Sequence, residues 1–273
     1  MRPPVVRLSA TRHMSLRIAF DLDGVLADME AALVRHAESL FSEEIARGFQ
    51  VGAAASQPGA GSETASRDDP SDVQDPQAAS PGAAAEGIPA VAKLHLTSRQ
   101  ERRLWRHIAT VENFWETLDE TEPGIVARLA QTAAERRWEI VFLTKRPKTM
   151  GVTAQVQSQR WLVSKGFSLP SVYVVQGSRG RIAAALDLDV VFDDRPENCL
   201  DVTIDSKARA ILIWREDEKA LPAAARRNGI GVVRSVQDGL DVLITLDKHN
   251  AQQDPGLLAR VRKMLGLKEH TGV

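Results

Sequence analysis

Cysteine occurs once in the 273-residue chain, at Cys199, so no internal disulfide can form and no thiolate cluster can hold zinc. That economy fits a reducing, cytoplasmic setting. Long apolar runs are also missing. Nothing approaches the roughly 18 to 20 residues that cross a bilayer, so no membrane partner is expected. Charge of one sign is not in excess either: the formal net charge is -1, which gives no footprint for a nucleic-acid polymer. The six histidines are scattered without metal-ligand spacing and read as structural or exposed. The first 17 residues contain Arg2, Arg7, Arg12 and Arg17 and no acid, yet lack the apolar stretch of a secretory signal. An Arg-rich organelle transit segment is one reading of them. The plainer one is a start at Met14, with residues 1–13 a disordered tail.

Large side chains are almost absent from about residue 50 to residue 92, where Ala, Gly, Pro, Ser and acids predominate. Such a stretch cannot offset the entropy of ordering and is expected to be a disordered loop. Helical spacing flanks it. Leu33, Ala37, Leu40, Phe41 and Ile45 recur on one face, with Gly48 as the expected stop. Ser98 and Glu101 form a capping-box pattern that opens a helix through Leu104, Trp105 and Ile108. Residues 28–120 are therefore read as a small helical cap interrupted by the loop.

Elsewhere short apolar runs alternate with helical patterns. Strands are expected at 16–20, 139–143, 171–175, 190–192, 209–214 and 231–233, and helices at 124–137, 152–165, 180–186, 220–228 and 236–246. Fully apolar strands separated by helices imply a parallel sheet covered on both faces. The expected fold class is α/β, a doubly wound, Rossmann-like parallel sheet at 14–27 and 121–250, with the cap inserted after the first strand. A C-terminal helix or tail is expected at 251–273.

Ligands of open parallel sheets bind beyond the carboxyl ends of the strands. There this chain has Asp21 and Asp23 after the first strand, Thr144 followed by Lys145 and Arg146 after the second, and Asp193-Asp194 after the strand at 190–192. Any one aspartate taken alone is more often a helix cap or turn closer. Four carboxylates at three strand ends repel one another unless a cation intervenes, and oxygen-only ligation suits magnesium.

With these residues in place, the sequence resembles the haloacid dehalogenase (HAD) superfamily of aspartyl-phosphate phosphatases. The resemblance rests on Phe20-Asp21-Leu22-Asp23-Gly24-Val25, Val141-Phe142-Leu143-Thr144 and Val191-Phe192-Asp193-Asp194. It covers residues 16–27 and 121–235. It implies that Asp21 is the nucleophile and Asp23 the general acid–base. It also implies a Mg2+ ion held by Asp21, the Asp23 carbonyl and Asp194, with Asp193 acting through water. Thr144 would donate to a phosphate oxygen. The cation of the third motif is placed at Arg179, with Arg181 and Lys145 as rivals. A looser resemblance, over 96–126, is to the 5′(3′)-deoxyribonucleotidase-like branch. The implied substrate is a small phosphorylated molecule, and a nucleotide would make Phe114 and Trp115 of the cap candidate contacts. A phosphomutase shares the first chemical step. A catalytically inactive binding module on the same fold is the reading from outside enzymology. Dehalogenation is disfavoured, because Asp23 supplies an acid that carbon–halogen cleavage does not need. Cys199 lacks a partner histidine and is read as a small buried residue.

Overall fold

The computed structural model describes residues 15–54 and 96–250. The expected tail at 1–13, the loop from residue 55 onward and the C-terminal segment 251–273 lie outside the described residues. Six strands form one sheet: β1 (Arg17–Asp21), β2 (Glu139–Thr144), β3 (Ser171–Val174), β4 (Val190–Asp193), β5 (Arg209–Ile213) and β6 (Gly231–Val233). Their order is β3-β2-β1-β4-β5-β6, and every neighbouring pair is parallel. The chain winds outward from β1 to β3, then returns to the other side of β1 at β4. That reversal opens a crevice between the ends of β1 and β4.

The register explains why the centre is so apolar. Phe20 pairs with Phe142 on one side and Phe192 on the other. The rings of Phe20 and Phe192 stack at 4.5 Å, and all three phenylalanines are fully buried. Burying a side chain of this size contributes about 1.5–3 kcal/mol. Helices α3 (Ile125–Arg136), α4 (Ala154–Ser164), α5 (Arg179–Ala185), α6 (Pro196–Asp205), α7 (Ala223–Arg227) and α8 (Val236–Asn250) accompany the strands. Trp161 on α4 is fully buried, and its indole donates to the Leu118 carbonyl at 2.7 Å.

Between β1 and β2 the chain makes a helical excursion through α1 (Met29–Ala54) and α2 (Ser98–Thr110). The outgoing and returning passages are hydrogen-bonded: Asp28 N to the Asp119 carbonyl, and Thr121 N to the Leu26 carbonyl, both 2.9 Å. Leu33, Ala37 and Phe41 of α1 and Leu104, Trp105 and Ile108 of α2 are buried in one cluster, which vindicates the helical spacing.

Two local expectations are corrected. Helix α1 runs past Gly48 to Ala54. A glycine inside a helix costs only about 1 kcal/mol relative to alanine, which a long helix tolerates. The capping box is shifted by one residue: Thr97 is the cap and Gln100 its reciprocal partner, rather than Ser98 and Glu101. Both tetrads fit the same pattern, and only the backbone trajectory distinguishes them.

Candidate active site

Each strand end delivers its side chain for a local reason. Asp21 is the last residue of β1, and Asp23 follows where the chain turns. The turn needs Gly24, at φ +82: a Cβ there would stand 2.0 Å from Asp194 Oδ2. The glycine thus admits the Asp194 carboxylate against the backbone of the β1 loop. The loop is held from outside by Arg215, which donates to the carbonyls of Gly24 (2.5 Å) and Val25 (3.4 Å) and pairs with Glu122 at 3.1 Å.

Arg179 opens α5, whose first turn is capped by the Ser178 hydroxyl accepting from Arg181 N. The helix lies close against α6, because a Cβ on Gly180 would meet the Asp201 carbonyl at 2.1 Å. That approach aims Arg179 inward. Its Nη2 donates to Asp21 Oδ1 at 2.5 Å, and its Nε lies 3.6 Å from Asp193 Oδ2. Arg181 points away: its side chain is 85 % exposed beside Asp205, so of the two only Arg179 reaches Asp21. Lys145 is exposed but borders the cavity mouth.

A cavity of about 270 Å³ opens over these groups. Asp21, Asp23, Arg179 and Asp194 form its floor. Met29, Glu30, Trp105 and Trp115 from the helical excursion border its other side.

Three expected site residues do not line the cavity. Thr144 is fully buried and its hydroxyl donates to Asp23 Oδ2 at 3.1 Å, not toward the cavity. Asp193 lies behind the floor, with its carboxylate taken by Asn198 Nδ2 at 3.0 Å, the Arg195 amide at 2.9 Å and Arg179. Phe114 does not reach the cavity. It is fully buried, edge-on to Trp115 at 4.9 Å and to His36 at 5.6 Å, a packing residue because its ring has no polar edge to bring to the surface. Trp115 borders the cavity while remaining buried, its indole N–H donating to the Pro147 carbonyl at 3.1 Å.

Two site residues were given no role by the sequence reading. Asn198 is one, and its signal was only its place in the first turn of α6. The other is Arg146. Its Nη2 donates to Asp23 Oδ1 at 2.7 Å and its Nε to both oxygens at 3.0–3.1 Å. It lies two residues after Thr144 and directly before Pro147. The residue before a proline favours extended backbone, so Thr144 and Arg146 face the same way, and this was legible.

The electrostatics follow from crowding. Burial raises Asp21 well above the ordinary carboxylate range, opposed by Arg179 and reinforced by Asp193, Asp194 and Asp23. Burial likewise raises Asp193, with Arg179 pulling it back. Asp194 is pushed up to about 8, first by burial and then by the Asp193 charge. Burial also pushes the Cys199 thiol well up, so it stays protonated and inert.

These oxygens fit a hard divalent cation. Among the described residues, no three acidic, imidazole or thiol side chains form a ready cage. Two carboxylates and a main-chain carbonyl still suit magnesium, which keeps several waters and completes its shell with substrate oxygens. A pH test follows. Asp194 has an ordinary value of 3.8 and a folded value of about 8. Between those values the native form keeps a proton that the unfolded chain has lost, so metal-free stability should fall as pH rises through this window. A magnesium ion held by Asp194 would take the place of that proton. It should raise the melting temperature at pH 8 and do much less at pH 5. Equal shifts at both values would remove Asp194 from the ligand set.

No family model matches the sequence, and no curated protein does. Several solved structures are similar in trace. A hydrolase from Pseudomonas syringae shares 16 % identity at a TM-score of 0.42, over 86 % of this chain and 99 % of that one. A HAD family hydrolase from Deinococcus radiodurans R1, with bound phosphate and sodium, shares 13 % at 0.47, over 86 % and 96 %. A phosphonoacetaldehyde hydrolase-like protein from Oleispira antarctica shares 13 % at 0.45, over 88 % and 95 %. At these identities and scores the likeness bears on no chemistry. By themselves, the fold and site define an open, all-parallel α/β protein with carboxylates and guanidinium groups gathered at the switch point of its sheet.

Proposed function

We propose that the chain is a magnesium-dependent phosphomonoester hydrolase of the HAD type, acting through an aspartyl-phosphate on a small organic phosphate. The observation that carries this reading is the contact of Arg179 with Asp21 Oδ1 at 2.5 Å, in a cavity that Asp23 and Asp194 also border. A nucleophilic carboxylate beside a fixed guanidinium, with a second carboxylate two residues on, is what phosphoryl transfer to an aspartate requires.

The Asp21 carboxylate attacks phosphorus, and the bond to the leaving oxygen breaks. That oxygen takes its proton from Asp23. Water then attacks the phosphorylated Asp21, giving its proton to Asp23 and releasing phosphate, so the enzyme returns to its starting state. Arg179 faces the equatorial oxygens on which charge collects and leaves Asp21 free to attack as it does so. Asp21, the Asp23 carbonyl and Asp194 would hold magnesium, which when bound screens the nucleophile from the substrate's negative charge. Trp105 and Met29 border the cavity with apolar side chains, which suits a substrate with a flat or apolar portion such as a nucleoside.

Hydrolysis of p-nitrophenyl phosphate tests the reading. Activity should vanish on dialysis against EDTA, return with magnesium, and fall with calcium, whose larger shell would draw both oxygens of Asp21 inward. Full activity in metal-free protein would overturn the magnesium assignment. No turnover of any phosphomonoester across a panel of nucleotides and sugar phosphates would overturn the enzyme.

A further inference from the structure

Arg146 is a buried cation to which the reaction above gives no part. Its side chain is fully shielded from solvent, and every branch of its guanidinium is engaged. Nε and Nη2 hold Asp23, and Nη1 donates to the Ser158 hydroxyl at 2.8 Å. Ser158 is itself buried, and its hydroxyl donates to the Ala154 carbonyl at 2.7 Å. The face of the guanidinium lies 4.8 Å from the centre of the Trp115 ring. Three of the five N–H donors of Arg146 are therefore committed to Asp23 and Ser158, although the residue borders the cavity.

Resting on the phosphatase reading, we infer that Arg146 is the positioning residue for the general acid–base Asp23, and that Trp115 holds it in place from the helical excursion. The geometry restricts where the catalytic proton can sit. A carboxylate offers about four lone-pair positions. Asp23 Oδ1 receives Nε and Nη2 of Arg146, and Oδ2 receives the Thr144 hydroxyl and shares Nε. These are three donors, with Nε shared between the two oxygens at 3.0–3.1 Å, so one position is left for the proton that goes to the leaving oxygen. As the Asp21–phosphorus bond forms, the electron pair of the breaking bond goes to that oxygen, and the Asp23 proton follows. The bidentate fork fixes the plane of the carboxyl group, a constraint that a point charge does not impose. The Trp115 ring and Ser158 stop the fork from turning.

A merely structural ion pair and a positioning residue differ in what their loss does to different leaving groups. Nitrophenolate departs without a proton, whereas phenolate benefits from one. The experiment measures kcat/KM for a series of substituted phenyl phosphates with magnesium present. This quantity reports only steps through formation of the phosphoenzyme and so isolates the acid role of Asp23. Wild type, Arg146→Lys, Asp23→Asn and the double variant are compared, each checked for a wild-type melting profile. Arg146→Lys should lower kcat/KM for phenyl phosphate by about 10²-fold, the low end for losing general acid catalysis, and lower that for p-nitrophenyl phosphate far less. Asp23→Asn should show the same divergence, and the double variant should be no worse than Asp23→Asn alone.

Should Arg146→Lys fail to fold, Ser158→Ala removes the partner of Nη1 without touching Asp23. It should steepen the leaving-group dependence in the same direction by a smaller factor. An equal loss on all esters, or additive losses in the double variant, would overturn the inference and leave the phosphatase standing. A wild type that hydrolyses none of the series removes the phosphatase and the inference together.

Discussion

Asp21→Asn is expected to lower kcat by at least about 10⁴-fold while the protein keeps its fold, because the amide cannot attack phosphorus and nothing else in the cavity replaces it. The neighbouring carboxylates do not qualify. Asp23 is held by Arg146 and Thr144, and Asp193 by Asn198, Arg195 and Arg179. The substitution preserves shape and removes one charge from a crowded group, since Asp193, Asp194 and Asp23 all disfavour ionised Asp21. The metal-free variant should therefore melt no lower than the metal-free wild type near neutral pH, even though Arg179 loses an ionic partner. Mass spectrometry of protein quenched during turnover is the direct check. Wild type should gain one phosphoryl group, and Asp21→Asn none. Near wild-type turnover in the variant would end the covalent mechanism.

The strands were legible because each is short, apolar and bounded by polar residues. The pattern at 231–233 matches β6, and the other five differ from the structure by one residue at one or both ends. Asp193 shows why the ends are soft. It completes β4 although aspartate disfavours strands, because its backbone pairs with Leu212 while its side chain is satisfied by Asn198. Helix α7 was read too long for a related reason: Pro222 separates it from the tight turn Glu218–Ala220.

The convergence of Asp21, Asp23, Arg179 and Asp194 on one cavity was likewise legible, since strand ends and chain order put them there. What each side chain touches was not. Thr144 and Lys145 both looked free to meet a phosphate, yet Thr144 turns to Asp23 and Lys145 stays at the rim. Phe114 and Trp115 are adjacent and aromatic, and no periodicity distinguishes them. A turn of 3-10 helix at Phe114–Glu116, entered through the left-handed Asn113, sends one ring into the core and the other to the cavity wall. Partner choice at buried polar groups is settled by three-dimensional packing that a linear pattern does not encode.

The choice among cations for the third motif shows that difference most sharply, and Arg179→Met tests it with two readouts. Arg179 is 5 % exposed and stands between Asp21 and Asp193. Methionine fills much of its volume and supplies no charge. Removing one partner of a buried ionic group costs about 3–5 kcal/mol, because the other charges remain without compensation. That cost depends on pH, and its sign can be worked out. Burial already raises Asp21 and Asp193, and Arg179 is the group that opposes this most. Without it both rise further, so the native variant holds protons that the unfolded chain releases above the ordinary carboxylate range. Its stability then falls more steeply than that of wild type as pH rises. The deficit should be larger at pH 8 than at pH 5. Turnover should fall about 10³-fold, as expected when the cation facing the transferring phosphoryl group is lost. Arg179→Lys should recover part of the stability and less of the rate, since it restores charge without the fork. Arg181→Met provides the contrast. Its side chain is exposed at the surface beside Asp205, so stability should change by less than about 0.5 kcal/mol, and kcat should not change. If the two methionine variants behave alike, the contact between Arg179 and Asp21 is not what organises the site.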